Sequence, residues 1–252
     1  MIYYFSGTGN SRYAAEKLAR LTGDKCVNIA AIYNGTVTSV TGRNDVTGFV
    51  FPVYYGGLPE MVKRFASHNE IKNNLAPYVY AVITCGGDAF AADSKLEKAL
   101  GRPLDLSISL KMPDNYVIAY NPSTKEDALS TLKAADGKLN GIGDRILRKE
   151  KHHNTDFKKK LVSGCMYALY PICRTTLFFK ANDNCSSCGI CAKICPDRAI
   201  KIKNGKPEWV KNRCQHCTAC INSCPQNAIQ FTHLTEKRGR YSMIKLIKEI
   251  EK

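Results

Sequence analysis

The 252-residue sequence has little that marks an exported or membrane-spanning chain. Its opening, MIYYFSGTGN, lacks a basic segment followed by an apolar stretch, so no secretory signal is read there and a soluble, cytoplasmic protein is expected. The longest apolar-rich run, residues 165–179, is interrupted by Pro171 and Arg174 and falls short of the ~20 residues a membrane span needs. Long low-complexity tracts are missing too. No glycine-rich turn ends in Gly-Lys-Ser/Thr, which excludes the usual nucleoside-triphosphate loop, and none has the G-x-G-x-x-G spacing of dinucleotide binders. Basic residues form no stripe interleaved with aromatics, so nucleic acid is not an expected partner.

The chain does have positive charge and cysteine. Thirty-seven Lys and Arg against 22 Asp and Glu give a formal +15, counting every cysteine as a neutral thiol. Cysteines bound to metal as thiolates would lower that figure. The balance suits solubility or an acidic partner steered by charge. Of the 12 cysteines, eight lie between Cys185 and Cys224. Dense, regular cysteines without an export signal point to metal instead of disulfides.

Apolar runs at 2–5, 26–29, 46–53, 78–84 and 104–110 read as strands, and segments 12–21, 58–68 and 88–100 carry apolar residues at helical spacing. Gly23 stands where a helix stop belongs. A further helix is expected from Ser123, where Ser-Thr-Lys-Glu has capping-box spacing, with Leu129, Leu132, Leu139, Ile142 and Ile146 as its buried stripe. Strands alternating with helices imply right-handed βαβ units, hence a doubly wound α/β domain with a parallel sheet. A connector follows, starting with the basic run HHNTDFKKK and expected to form a helix or clamp. The tail carries Tyr241, Ile244, Ile247 and Ile250 at a spacing that suits a docking helix.

From Cys185 the chain repeats itself: CSSCGICAKICPDRAI recurs as CQHCTACINSCPQNAI, displaced by 29 positions. Each unit is C-x2-C-x2-C-x3-C-P. A [4Fe–4S] cubane needs four soft thiolates on tetrahedrally disposed irons, and three of them two residues apart can come from one tight loop. A structural zinc ion has no use for the third cysteine or the C-P ending. Pro196 and Pro225 fix the turn after each run, and Ala199-Ile200 and Ala228-Ile229 are expected to exclude water. The segment 182–230 resembles bacterial-type two-cluster ferredoxins. The resemblance implies that the fourth cysteine of each run serves the other cluster: Cys185, Cys188, Cys191 and Cys224 for the first, Cys214, Cys217, Cys220 and Cys195 for the second.

Near the N-terminus, Ser6-Gly7-Thr8-Gly9-Asn10-Ser11 lies between the first strand and a helix. Glycines let backbone N–H groups curl round an anion, hydroxyl and amide groups add donors, and the helix start adds partial positive charge. This suits a single phosphate monoester held by neutral donors. Two more loops, Pro52-Val53-Tyr54-Tyr55-Gly56-Gly57 and Thr84-Cys85-Gly86-Gly87-Asp88, follow the third and fourth strands. In a 2-1-3-4-5 strand order all three meet at the carboxyl edge, beside the topological switch point.

These loops carry a resemblance to flavodoxins over about residues 1–150. It implies that the first loop holds the phosphate of flavin mononucleotide (FMN) and the other two flank the ring, with Tyr54 or Tyr55 stacked on it. Cys85 reads as a small loop residue. As a whole the chain resembles the EFR1 family of flavodoxin–ferredoxin fusion proteins, typical of anaerobes, and in that resemblance Met112-Pro113-Asp114-Asn115-Tyr116 is expected either to close over the flavin edge or to form an ordinary ordered loop. The expected organisation is a flavodoxin-like domain at 1–150, a connector at 151–183, a small α+β ferredoxin domain with two clusters at 184–232, and a C-terminal helix at 233–252. The function expected is electron transfer between two [4Fe–4S] clusters, FMN and external redox proteins. The rival is a flavin-dependent oxidoreductase whose clusters feed electrons to a small substrate.

Overall fold

The computed structural model describes residues 1–37, 45–152 and 157–250. Positions 153–156 of the expected basic connector run, and 251–252 of the expected C-terminal helix, lie outside the described residues. Contacts divide the chain into two bodies. The first holds Met1–Ser6, Asn10–Met112 and Ser130–Tyr170; the second holds Gly7–Gly9, Pro113–Leu129 and the chain from Pro171 onward.

The first body is built on five strands, β1 (Ile2–Tyr4), β2 (Cys26–Asn28), β3 (Val46–Pro52), β4 (Tyr78–Cys85) and β5 (Leu106–Lys111). They pair in parallel in the order β2-β1-β3-β4-β5, a flavodoxin-like doubly wound sheet. Between and after them come α1 (Asn10–Thr22), α2 (Ile29–Tyr33), α3 (Glu60–Ser67), α4 (Asn69–Asn73), α5 (Ala92–Leu100), α6 (Lys125–Leu147) and α7 (Phe157–Cys173). All eight residues of β4 are buried, as expected of a central strand covered on both faces. The stripe of α6 is buried at Ala128, Leu132, Ala135, Leu139, Ile142 and Ile146. Its cap is one residue later than expected: Thr124 Oγ1 accepts from Asp127 N at 3.2 Å and donates to Asp127 Oδ2 at 2.8 Å. Ser123 instead pairs with Asp114, its hydroxyl accepting from Asp114 N at 3.0 Å.

The second body contains β6 (Phe179–Ala181), α8 (Ile190–Ile194), β7 (Ile200–Lys203), β8 (Lys206–Trp209), α9 (Ala219–Asn222), β9 (Ile229–Phe231) and α10 (Met243–Ile250). The antiparallel pairs β6–β9 and β7–β8 frame a small core of Val117, Phe179, Cys191, Ile200, Ile221 and Ile229. The segment around Tyr116 makes these contacts in the second body: Val117 is in this core, Asn115 O accepts from Asn222 Nδ2 at 3.2 Å, and Tyr116 Oη pairs with His216 Nδ1 at 2.8 Å. The tail stripe is also rotated from its expected positions. Tyr241, Met243 and Leu246 are buried while Ile244 is 71% exposed, because α10 starts only at Met243 and sets its own phase.

One crowded contact fixes the middle of the sheet. Gly48 of β3 is in register with Tyr80 of β4, and a Cβ on Gly48 would lie 2.3 Å from Tyr80 Cζ. Tyr80 is fully buried, and its hydroxyl has no hydrogen-bond partner among the described residues. Gly48→Ala should therefore destabilise the protein by about 1–3 kcal/mol through overpacking. Tyr80→Phe, which removes an unsatisfied buried hydroxyl, should be neutral or stabilising by up to ~1 kcal/mol. Urea unfolding of both variants checks the pair; a large loss for Tyr80→Phe would contradict the buried, unpaired hydroxyl.

Candidate functional site: cysteine cavities and glycine loops

The two cysteine runs fold back on one another. One cavity is lined by Cys185, Cys188, Cys191 and Cys224 together with Ile202 and Pro207. The other is lined by Cys195, Cys214, Cys217 and Cys220, with Phe179, Ile200 and Trp209 on its apolar wall. Each cavity thus takes three thiols from one run and the fourth from the other, the grouping that the ferredoxin resemblance implies. The thiols surround their cavities without meeting at a point: among the described residues no three His, Cys, Asp or Glu side chains could hold a single metal ion. Four soft donors spread round a common space fit a multi-iron cluster, in which each thiolate binds a different iron.

The backbone repeats with the sequence. Ser187 and His216, Gly189 and Thr218, and Arg198 and Asn227 all have positive φ, from 48° to 72°, and each pair is 29 residues apart. Left-handed residues in a tight loop turn successive N–H groups toward a common centre, which suits an anionic sulfur-rich cluster. Three amides point at cysteine sulfurs: Ala199 N to Cys195 Sγ at 3.3 Å, Ala228 N to Cys224 Sγ at 3.2 Å, and His216 N to Cys214 Sγ at 3.3 Å. Such bonds stabilise thiolate character and tune a bound cluster.

The thiols differ in their surroundings. Burial pushes the Cys214 thiol up to about 12 and raises Cys217 and Cys220 strongly as well. A bare thiolate is disfavoured there, and cationic iron would supply the missing compensation. Cys188, in contrast, is exposed. Beside the second cavity the His216 ring sits edge-on to Phe179 and Phe231 at centroid distances of 5.3 and 5.1 Å. Burial lowers its pKa to about 4, so the ring stays neutral in its bond to Tyr116.

The predicted flavin loops follow β1, β3 and β4 at the carboxyl edge of the sheet. In the first, Ser6, Gly7, Thr8 and Gly9 are half-buried, whereas Asn10 and Ser11 are buried at the start of α1. Ser11 Oγ and Thr84 Oγ1 lie 2.7 Å apart, joining the first and third loops, and Val53 N donates to Thr84 O at 3.0 Å, joining the second and third. Within the second body Gly9, at φ +109°, leaves no room for a side chain: a Cβ there would be 2.8 Å from that of Met243. Cys85 is buried with its thiol near Gly87 O and Leu110 O, as a small loop residue.

Helix α7 lies across the second and third loops, which the sequence reading did not foresee. Residues 54–57 close a tight turn, Tyr54 and Gly57 exchanging N–H···O bonds of 2.9 Å, with Tyr55 and Gly56 both at positive φ. Ser163 Oγ donates to Gly56 O at 2.5 Å, Tyr167 Oη donates to Leu58 O at 3.0 Å, and a Cβ on Gly57 would lie 2.4 Å from the Tyr167 ring. Buried Tyr170 stacks on Tyr55 at 5.4 Å and meets Tyr54 at 65°. In the third loop, exposed Asp88 receives Lys159 Nζ at 2.8 Å, a bond that holds its carboxyl below the usual carboxylate range. The two glycines thus admit a helix to the loop backbone. Ser163, Tyr167 and Tyr170 fall at i, i+4 and i+7, the signal that could have found them. Tyr170→Ala should lower stability by about 3–5 kcal/mol, as for other buried aromatics cut to alanine; chemical denaturation checks this, and a cost near zero would mean that the helix is not held there.

Comparison with known proteins supports the iron–sulfur assignment. Residues 184–229 match the family model described as the 4Fe-4S dicluster domain. The chain matches no curated protein. Among solved structures it is similar to the Trp repressor binding protein from Bacillus subtilis, with 13% identity over 60% of this chain and 99% of that one and a TM-score of 0.39. An NAD(P)H:quinone oxidoreductase from Methanothermobacter marburgensis shares 11% identity over 62% of this chain and 97% of that one, with a TM-score of 0.36. A flavoprotein in complex with FMN from Lactobacillus acidophilus NCFM shares 16% identity over 43% of this chain and 90% of that one, with a TM-score of 0.32. The dicluster match, taken with the cysteine cavities, gives the chain a redox, electron-transfer role.

Proposed function

We propose that the chain is a one-chain electron carrier with two [4Fe–4S] clusters and one FMN, a fusion of the EFR1 kind. The observation that carries this reading is the pair of cavities, each lined by four cysteines drawn from both runs. Cys185, Cys188, Cys191 and Cys224 would hold one cluster, and Cys214, Cys217, Cys220 and Cys195 the other. Residues Ser6–Ser11 would receive the flavin phosphate, with Pro52–Gly57 and Thr84–Asp88 beside the ring.

When bound, the clusters would supply one-electron chemistry and the flavin one- or two-electron chemistry. The protein's part is to position, shield and bias. Phe179, Ile200 and Trp209 keep water from the second cavity, and the amides of Ala199, Ala228 and His216 favour thiolate sulfur. Cys188 makes the first cavity the accessible one, so exchange with an external redox protein is assigned to that side. On the neighbouring hairpin β7–β8, exposed Lys201 suits an acidic partner, while Lys203 and Lys206 are paired with Glu208 at 2.7 Å and Asp183 at 2.9 Å. A carrier is favoured over a substrate-reducing enzyme because α7 packs on both loops that would border the ring.

Anaerobic purification with quantitation of iron, acid-labile sulfide and flavin tests the proposal. It expects about eight irons, about eight sulfides and one FMN per chain, iron and flavin both bleaching on reduction. Zinc in place of iron, without sulfide, would overturn the cluster assignment, and a full iron load with no flavin after reconstitution would confine the redox chemistry to the second body. Trp209, the only tryptophan, gives an independent readout because it lines the cavity of Cys195, Cys214, Cys217 and Cys220. Its emission should be quenched as that cavity fills. Cys217→Ser should leave most of the emission unquenched after reconstitution, whereas Cys188→Ser, which alters the other cavity, should leave the quenching in place.

A further inference from the structure

The two cysteine cavities differ in one charge. Cysteines apart, Asp197 is the only residue lining either of them that has an ionisable side chain, and it lines the cavity of Cys195, Cys214, Cys217 and Cys220. It stands two residues after Cys195, in the Cys-Pro-Asp turn that ends the first run. Both carboxylate oxygens accept from Gln215 Nε2, at 2.9 and 3.0 Å, and Gln215 is buried in the loop that carries Cys214 and Cys217. The exit of one run is thereby tied to the ligand loop of the other. Lys211 Nζ donates to the Asp197 backbone carbonyl at 2.5 Å, and among the described residues no cation forms an ion pair with the carboxylate. A neutral amide thus orients the charge without cancelling it.

The repeat supplies the contrast. At a displacement of 29 positions Asp197 corresponds to Gln226 and Gln215 to Ser186, so the cavity of Cys185, Cys188, Cys191 and Cys224 has no lining carboxylate. Asp183, just before that run, is exposed and paired with Lys206 at 2.9 Å. The thiols register the difference. Burial raises Cys195, Cys214 and Cys217, and the Asp197 carboxylate raises all three further, whereas Cys191 is raised by burial and by Cys224, Cys185 and Cys188. A charge that opposes thiolate also opposes an added electron, because a cluster held by thiolates becomes more negative when it is reduced. The apolar wall of Phe179, Ile200 and Trp209 limits the screening of that repulsion. Arg174, whose Nε donates to Cys214 O at 2.7 Å, and exposed Lys211 act in the opposite sense, and Asp197 offsets them.

We infer that Asp197 is a potential-setting residue: its carboxylate, held by Gln215, lowers the reduction potential of the cluster at Cys195, Cys214, Cys217 and Cys220 and has no counterpart at the other. An electron leaving that cluster for its neighbour, oxidising one and reducing the other, is thereby biased toward the side of Cys188. The inference rests on the cluster assignment of the proposed function and deepens it. Square-wave voltammetry of the reconstituted full chain tests it, with iron and sulfide counted in every sample. Asp197→Asn keeps the side-chain shape and an acceptor for Gln215. It should retain the parent's iron and sulfide and raise one of the two potentials by about 59 mV, tenfold in a one-electron equilibrium. Asp197→Glu, which returns the charge, should reverse most of that shift. In a Cys188→Ser background, which alters or removes the wave of the other cluster, the shift should persist. A parent chain that takes up no iron and sulfide would sink the cluster assignment itself. With the parent fully loaded, unmoved potentials in Asp197→Asn, an equal shift in Asp197→Glu, or a shift that vanishes with Cys188→Ser would overturn the role of Asp197 alone. Loss of iron from Asp197→Asn would overturn it in favour of a structural bond to Gln215.

Discussion

The crossing of the fourth cysteine in each run is the constraint on which the second body depends. Cys195 belongs to the first run but lines the second cavity, and Cys224 does the reverse. Neither half-motif can complete its site alone, so loop geometry, the β6–β9 and β7–β8 pairs and the small apolar core all depend on both halves being in place. The core itself is modest, six buried residues of which Cys191 is one. A body of this size has little hydrophobic stabilisation to draw on, and bridging by cluster iron would make metal loading part of its folding energy.

In the first body close approach plays the organising role. Gly48 makes room for Tyr80 inside the sheet, while Gly56 and Gly57 make room for α7 outside it. The second case gives a glycine-rich loop two readings. Glycines in such a loop invite explanation by ligand approach, yet here the atoms that would crowd a side chain belong to Ser163, Tyr167 and Lys95. These need not conflict, since a loop clamped on one side can be shaped for a ligand on another.

The sheet was legible in the sequence because parallel buried strands read as short apolar runs; the expected strand at 46–53, for example, is found at Val46–Pro52. The cysteine grouping was legible only through the ferredoxin resemblance that the repeated C-x2-C-x2-C-x3-C-P units carry. What escaped depended on packing partners far away in sequence. Helical periodicity located α10 but placed Ile244 inside, whereas burial follows Met243 and Leu246 once the helix start is fixed. The family resemblance marked the segment with Tyr116 but could not assign it to His216, a hundred residues on. The Ser163–Tyr167–Tyr170 stripe was written in the sequence at helical spacing, but only the fold shows which surface it meets.

The duplicated backbone has diverged in what its two copies hold. At equivalent positions the second copy has His216, Thr218 and Asn222 where the first has Ser187, Gly189 and Lys193. His216 bonds Tyr116; Thr218 bonds Asn222, which in turn holds Asn115 O and accepts from Tyr241 N at 2.9 Å. Ser187 and Lys193 instead are exposed. The second half-motif is thus tied by side chains to neighbouring segments of its own body, whereas at these positions the first faces solvent and reaches only Gly205, through Ser187. A repeat can in this way divide two demands, one copy holding the fold and the other presenting a surface whose residues can change without loosening it.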